Sequence, residues 1–188
     1  RGRRAHAAAP PLLRGGWGHL TVVEPAVPLE LRRLLEGAPR ARLCAGRSET
    51  VIPALDQAVD AVLLEGDLNY AAVRGDLERI ADLAEKRGEV FPLVFVKNTS
   101  WPYARRDMYY APEAIPEPAR QPFAKGGLSP RSPGQVSGMI NAEFAHALEE
   151  GGPRNGVLTA VEDFLGEAGP GLHLWTLPMN HGLGIIYR

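Results

Sequence analysis

Four short polar strings in this sequence stand directly after apolar runs, and each carries side chains that can bind or move charge. They are Glu24-Pro25, Gly46-Arg47-Ser48, Glu65-Gly66-Asp67 and Lys97-Asn98. An ionised carboxylate offers two acceptor oxygens, so Glu24 can take both hydroxyls of a ribose. It would equally suit the first turn of a following helix, where the dipole favours an acid. Glu65 and Asp67, with a glycine between them, can hold a divalent cation. Asp67 and Asn69 can instead cap the next helix. Lys97 puts a cation where an anionic ligand, an ion pair or a proton acceptor would sit, and a pair with Glu65 or Asp67 across the neighbouring strand end is one reading.

Other chemistries find no support. The sequence has no H-E-x-x-H, C-x-x-C or G-x-S-x-G string, which argues against zinc peptidases, redox thiols and α/β-hydrolase esterases. Gly151-Gly152 before Pro153-Arg154-Asn155 is the nearest thing to a phosphate cradle, and alone it is weak. The single cysteine, Cys44, rules out an internal disulfide and suits the cytoplasm. The formal charge of −1 gives no reason to expect nucleic acid or an acidic membrane as partner. Arg1, Arg3 and Arg4 read as a solvated end. No apolar stretch approaches the ~20 residues of a membrane span. Residues 7–13 are too short, and too broken by Pro10-Pro11, for a signal peptide. The first residue is not Met, so the sequence is expected to begin partway through a longer protein.

The elements that must position these strings follow from apolar patterning. Residues 19–24 (HLTVVE), 41–45, 58–64 (AVDAVLL) and 91–96 (FPLVFV) read as buried strands. Leu29, Leu31, Leu34 and Leu35 form one face of a short helix that Gly37 and Pro39 stop. Ser48 begins a short capped helix or turn. Tyr70, Val73, Leu77, Ile80 and Ala84 recur every three or four residues, which predicts the longest helix, closed by Lys86, Arg87 and Gly88. Residues 99–156 are rich in proline and glycine, with a helical stretch expected near 139–148. Asn155 is expected to cap a helix bearing Val157, Leu158, Val161, Phe164 and Leu165. Residues 172–177 and 182–187 read as a hairpin-like pair.

Strand and helix thus alternate about four times before a long insertion, a helix and two strands. At 188 residues this fits one domain with a sizeable core. Alternation implies crossover connections and a mostly parallel sheet covered on both faces. The expected fold is α/β, a Rossmann-like doubly wound sheet over residues 1–188, ending in an antiparallel strand pair. Residues 99–156 are too many for a plain connection and are read as a lid or binding loop. Ligands of such sheets lie beyond the carboxyl ends of the strands, where the four polar strings are.

Three stretches carry a further likeness: residues 63–70 (LLEGDLNY), 101–110 (WPYARRDMYY) and 150–164 (EGGPRNGVLTAVEDF). In these the sequence resembles bacterial class I S-adenosylmethionine-dependent methyltransferases, the group that includes the cephalosporin-hydroxylase-like and macrocin-O-methyltransferase-like proteins. The resemblance implies S-adenosylmethionine bound over the strand ends. Glu24 would hold its ribose, Gly46, Arg47 and Ser48 would lie near its adenine, and Glu65 would contribute to the same site. Gly2 would belong to the tail of the family's glycine-rich first loop, whose preceding strand is absent here. Trp101, Tyr103 and Tyr109 would wall an acceptor pocket under the insertion, or simply pack the insertion on the sheet. The implied reaction is O-methylation of a small-molecule acceptor, with Asp67, Lys97 and Asn98 at the chemistry, and a homo-oligomer is left open.

Two departures matter. Leu68 stands where the family's I-D-G-D-H-x-Y string has histidine, and Lys97-Asn98 stands where it has His-Asp, or Asp-Asn in metal-dependent relatives. An ammonium 4 Å from a cation repels it by about 4 kcal/mol per unit charge at an effective dielectric near 20. That costs roughly three powers of ten in metal affinity, so no bound metal is expected. The same departures, with the missing strand, motivate a rival reading as a non-catalytic methyltransferase-like binding or scaffold module. A nicotinamide-dependent dehydrogenase would fit the alternation but lacks the G-x-G-x-x-G string.

Overall fold

A computed structural model describes residues 18–188, and the chain divides into two compact units, Arg1–Asp56 and Gln57–Arg188. The readings placed on Gly2, on the Arg1, Arg3 and Arg4 cluster and on Pro10-Pro11 lie outside the described residues.

In the first unit, β1 (Leu20–Val23) leads to α1 (Leu29–Glu36) and β2 (Ala41–Cys44). The two strands pair in parallel with Leu20 opposite Ala41 and Val23 opposite Cys44. Pro28 caps α1, a position where a missing N–H costs nothing, and Leu31 and Leu35, four apart, are its buried residues. A four-residue helix, α2 (Ser48–Val51), runs into a 3-10 turn at Ile52–Ala54. Ser48 does not cap it. Arg47 holds the cap position, and Thr50 donates its hydroxyl to the Arg47 carbonyl.

The second unit begins with β3 (Ala61–Leu64), α3 (Tyr70–Arg87) and β4 (Leu93–Lys97). α3 follows its sequence signals closely. Asn69 caps it by accepting from the Ala72 amide at 2.9 Å, and Gly88 ends it in the left-handed conformation at φ 65°. Val73, Leu77, Ile80 and Ala84 are its buried stripe.

Residues 99–156 are where the sequence reading needs most correction. They hold β5 (Met108–Tyr109), β6 (Phe123–Lys125), β7 (Gly127–Ser129), β8 (Ser132–Val136) and β9 (Ala145–Ala147). β9 is flanked by β5 and β6 in an antiparallel sheet, and β7 pairs with β8. The helical stretch expected near 139–148 is absent because Ala145 and His146 pair on both sides, and pairing across the chain overrides local propensity.

α4 (Val157–Ala168) packs beside α3, and β10 (His173–Leu177) and β11 (Leu183–Tyr187) form the expected hairpin. The main sheet runs β10-β11-β4-β3. β3 and β4 are parallel, while β11 is antiparallel to both β4 and β10. Alternation along the strands buries Val94, Val96 and Ile186 completely or nearly so. β3 pairs with β4 alone among the described strands of this sheet. No helix among the described residues is long and apolar enough to cross a membrane.

Candidate functional site

Each of the four polar strings lies at the carboxyl end of a strand. In the first unit Glu24 follows β1, and its Oε1 accepts from the Ala26 amide at 3.0 Å. One oxygen is therefore oriented by backbone, and the carboxylate keeps further acceptor sites. Gly46 follows β2 in a tight turn: a Cβ there would sit 3.0 Å from a Val51 methyl. Arg47 is paired with Glu49, and Ser48 is the first residue of α2.

In the second unit the parallel register sets Leu64 opposite Val96, so Glu65 and Lys97 leave the sheet side by side. Lys97 Nζ donates to Glu65 Oε1 at 3.0 Å, and both side chains are only about one-fifth exposed, 22% and 19%. Asn98 follows with φ 67°, a region that asparagine tolerates better than most residues, and its amide donates to the Gly182 carbonyl. Asp67 is exposed, and because Asn69 caps α3, Asp67 is not needed for capping. Between them the Leu68 carbonyl accepts from the Met108 amide at 2.9 Å, one of the links that tie this loop to the insertion.

The three aromatic candidates take different places. Trp101 is half-buried, and its carbonyl faces His181 Nδ1 at 3.3 Å. Tyr103 is buried and stacks on His146 with the rings within 4° of parallel. Tyr109 is buried too; it donates its hydroxyl to Asp107 at 2.7 Å and accepts from the Gln121 amide at 2.8 Å. Burial, then the adjacent Asp107 carboxylate, push its phenol well above the ordinary tyrosine range. Tyr103 and Tyr109 thus hold the insertion together, the packing role that the sequence left open beside the pocket role.

Two buried titratable groups escaped the sequence reading. Asp107 is fully buried, and its Oδ1 accepts from the Tyr70 and Gly156 amides, each at 2.7 Å. Burial raises its pKa above the ordinary aspartate value, while the three donors pull the other way. His146 is fully buried as well, with Nδ1 donating to the Gly126 carbonyl at 2.8 Å. Nε2 is left as acceptor, 3.5 Å from the Tyr103 hydroxyl, which also takes a bond from Asn141 Nδ2. Burial, chiefly, lowers the His146 pKa, so the ring is neutral near pH 7. Asp107 lies within the string RRDMYY, yet neither residue has a local signal, because apart from Tyr109 their bonding partners lie in distant segments.

The start of α4 also differs from expectation. Asn155 does not cap it. Its side chain accepts from the Asp107 amide at 2.8 Å and donates to the Glu149 and Gly151 carbonyls. Gly156 precedes the helix, and the Val157 and Leu158 amides donate to the Tyr103 and Ala104 carbonyls. With those amides and that of Gly156 committed, the Gly151-Gly152 turn does not lead into a free phosphate-binding helix end. A groove of about 1120 Å³ does run along this turn, past Tyr70, Arg74, Gln121 and Arg154. Glu65, Asp67, Lys97 and Asn98 do not line it. Among the described residues no three His, Cys, Asp or Glu side chains are grouped to hold a metal.

No protein-family model matches the chain, and no curated protein matches it. Solved structures do. A Podospora anserina methyltransferase, PaMTH1, crystallised with S-adenosylhomocysteine, aligns over 89% of this chain and 59% of its own at TM-score 0.50 and 13% identity. A Corynebacterium glutamicum protein aligns over 90% of this chain and 60% of its own, at TM-score 0.42 and 16% identity. The chain therefore spans about three-fifths of the structures it matches, and its mixed α/β fold is similar to that of the Podospora methyltransferase.

Proposed function

We propose that this protein is an S-adenosylmethionine-dependent methyltransferase that methylates a hydroxyl of a small-molecule acceptor. The observation that carries the reading is the alignment of nearly the whole chain with a methyltransferase crystallised with the product of that cofactor. The chain's own residues fit the cofactor in part. Glu24, at the end of β1 with one oxygen oriented by the Ala26 amide, offers the acceptor oxygens a ribose needs. Gly46, Arg47 and Ser48 would lie near the adenine, where the Gly46 backbone passes too close to a Val51 methyl to carry a side chain without displacing it. Glu65 fits less well, since Lys97 already holds it.

Bound S-adenosylmethionine supplies an electrophilic methyl group. The chain's contribution is position and charge. Asp67, exposed on the strand-end loop, accepts the proton of the acceptor hydroxyl. Lys97, fixed by Glu65, presents a resident cation that favours the developing alkoxide, in the role that a metal plays in some relatives. Asn98, next to Lys97 in a left-handed turn with its amide on the Gly182 carbonyl, completes the polar group at the end of β4. Most of the rate would come from holding the acceptor in line with the methyl group. The finer parts of the reading belong with it: membership of the cephalosporin-hydroxylase-like and macrocin-O-methyltransferase-like group, a single domain, and a cytoplasmic setting.

Isothermal titration with S-adenosylmethionine tests the reading. Micromolar binding is expected, weakened at least tenfold, or about 1.4 kcal/mol, by Glu24→Ala. Absence of heat from the folded protein, or unchanged affinity in the variant, would remove the assignment.

A further inference from the structure

The structure assigns Asp107 as a positioning residue that clamps the strand-end loop carrying Asp67 to the insertion and to α4. It rests on the methyltransferase reading only for what that loop does; the clamp itself rests on geometry.

The loop of residues 65–70 joins β3 to α3 and is gripped at two points by consecutive residues of the insertion. The Met108 amide bonds the Leu68 carbonyl at 2.9 Å, and the Asp107 carboxylate takes the Tyr70 amide at 2.7 Å. The same oxygen takes the Gly156 amide at 2.7 Å, so one fully buried carboxylate serves the starts of two helices at once. Those amides are orphan donors carrying the positive end of each helix dipole, which is what offsets the burial of an anion here. The other oxygen is held by the Tyr109 hydroxyl at 2.7 Å.

The support continues outward. Asn155 accepts from the Asp107 amide, and the Asp107 carbonyl accepts from Ala147 of β9. Gly156 is required by the approach: a Cβ there would lie 2.4 Å from the Ala104 carbonyl oxygen and 2.5 Å from the Arg106 amide nitrogen. At these contacts the insertion is therefore a fixed wall, bonded to the loop it faces. Asparagine at 107 keeps one acceptor oxygen for the two amides but loses the charge that strengthens both bonds, and its NH2 meets the Tyr109 hydroxyl, which must then accept from it as well as from the Gln121 amide. The loop would then be held more weakly while the sheet kept its own pairing.

Hydrogen exchange on the whole chain, comparing Asp107→Asn with Leu77→Ala, tests the clamp. Leu77 is fully buried in α3 and makes no contact named in it, so its loss lowers stability without touching the anchor. The clamp predicts that Asp107→Asn lowers protection at least tenfold in residues 66–72 and 156–160, with β4 and β11 changed less than threefold. Leu77→Ala should lower both sets alike. If Asp107→Asn instead follows the Leu77→Ala pattern, or leaves residues 66–72 protected, the assignment is wrong. Should Asp107→Asn fail to fold, Tyr109→Phe removes one donor from the same carboxylate and is expected to give the same selective pattern at about threefold. In an assay of methyl transfer, Asp107→Asn should lower kcat at least tenfold and leave KM for S-adenosylmethionine within threefold. Equal loss in both would count against positioning. No turnover in the unaltered protein would remove the methyltransferase reading and leave exchange to judge the clamp.

Discussion

Replacing Lys97 by Met leaves the Glu65 carboxylate four-fifths buried without its cation. At 3.0 Å the bare attraction between the two charges is about 5.5 kcal/mol at an effective dielectric near 20. Desolvation of both groups takes back most of that. Fully exposed pairs are worth roughly 0–1 kcal/mol, and removing one partner of a fully buried pair costs about 3–5 kcal/mol. With exposures of 22% and 19% this pair falls between, so Lys97→Met and Glu65→Gln are each expected to cost about 2 kcal/mol. The double variant should cost scarcely more than either, because neither charge is then left alone, giving a coupling of about 1.5–2 kcal/mol. Urea unfolding of the four proteins measures it, with equal m-values confirming that the same transition is compared. A coupling below about 0.3 kcal/mol would show that the pair contributes like an exposed one, and would remove the basis for treating Lys97 as a fixed cation.

Three further outcomes are expected. Gly156→Ala forces a Cβ against the Ala104 and Arg106 backbone at φ 91°, combining strain with overlap, and should cost about 3 kcal/mol or more in urea unfolding. Asn69→Ala removes the cap of α3, and its thermal midpoint should fall by about 2–4 °C, for a loss near 1 kcal/mol. His146 has a folded pKa below its unfolded value, so the stability it contributes is present above about pH 6.5 and declines as pH falls toward the folded value. Asp107, raised, acts with the opposite sign at lower pH, so the difference between the unaltered protein and His146→Gln, read by urea unfolding at pH 7.5 and 5.5, isolates the histidine. A difference independent of pH would show that His146 does not titrate differently on folding.

Much of the frame was legible because its signals are local. Short apolar runs marked β1 to β4, β10 and β11, and α3 announced itself by its apolar spacing and its Gly88 stop. Lys97 beside Glu65 was legible as well: once two parallel strands end together, their next residues must meet. The three-residue strand β9 was not, because strands so short exist only through partners twenty or more residues away in sequence.

The sequence by itself determined which residues stand at the strand ends and what chemistry they carry, since apolar period and polar punctuation depend only on neighbours in the chain. Only the tertiary structure decided what holds them. It gave α3's cap to Asn69 rather than Asp67, turned Tyr109 inward onto Asp107, and set that one carboxylate against amides from residues 70 and 156. A buried anion needs several donors converging from separate segments, and that convergence exists only once the chain has folded.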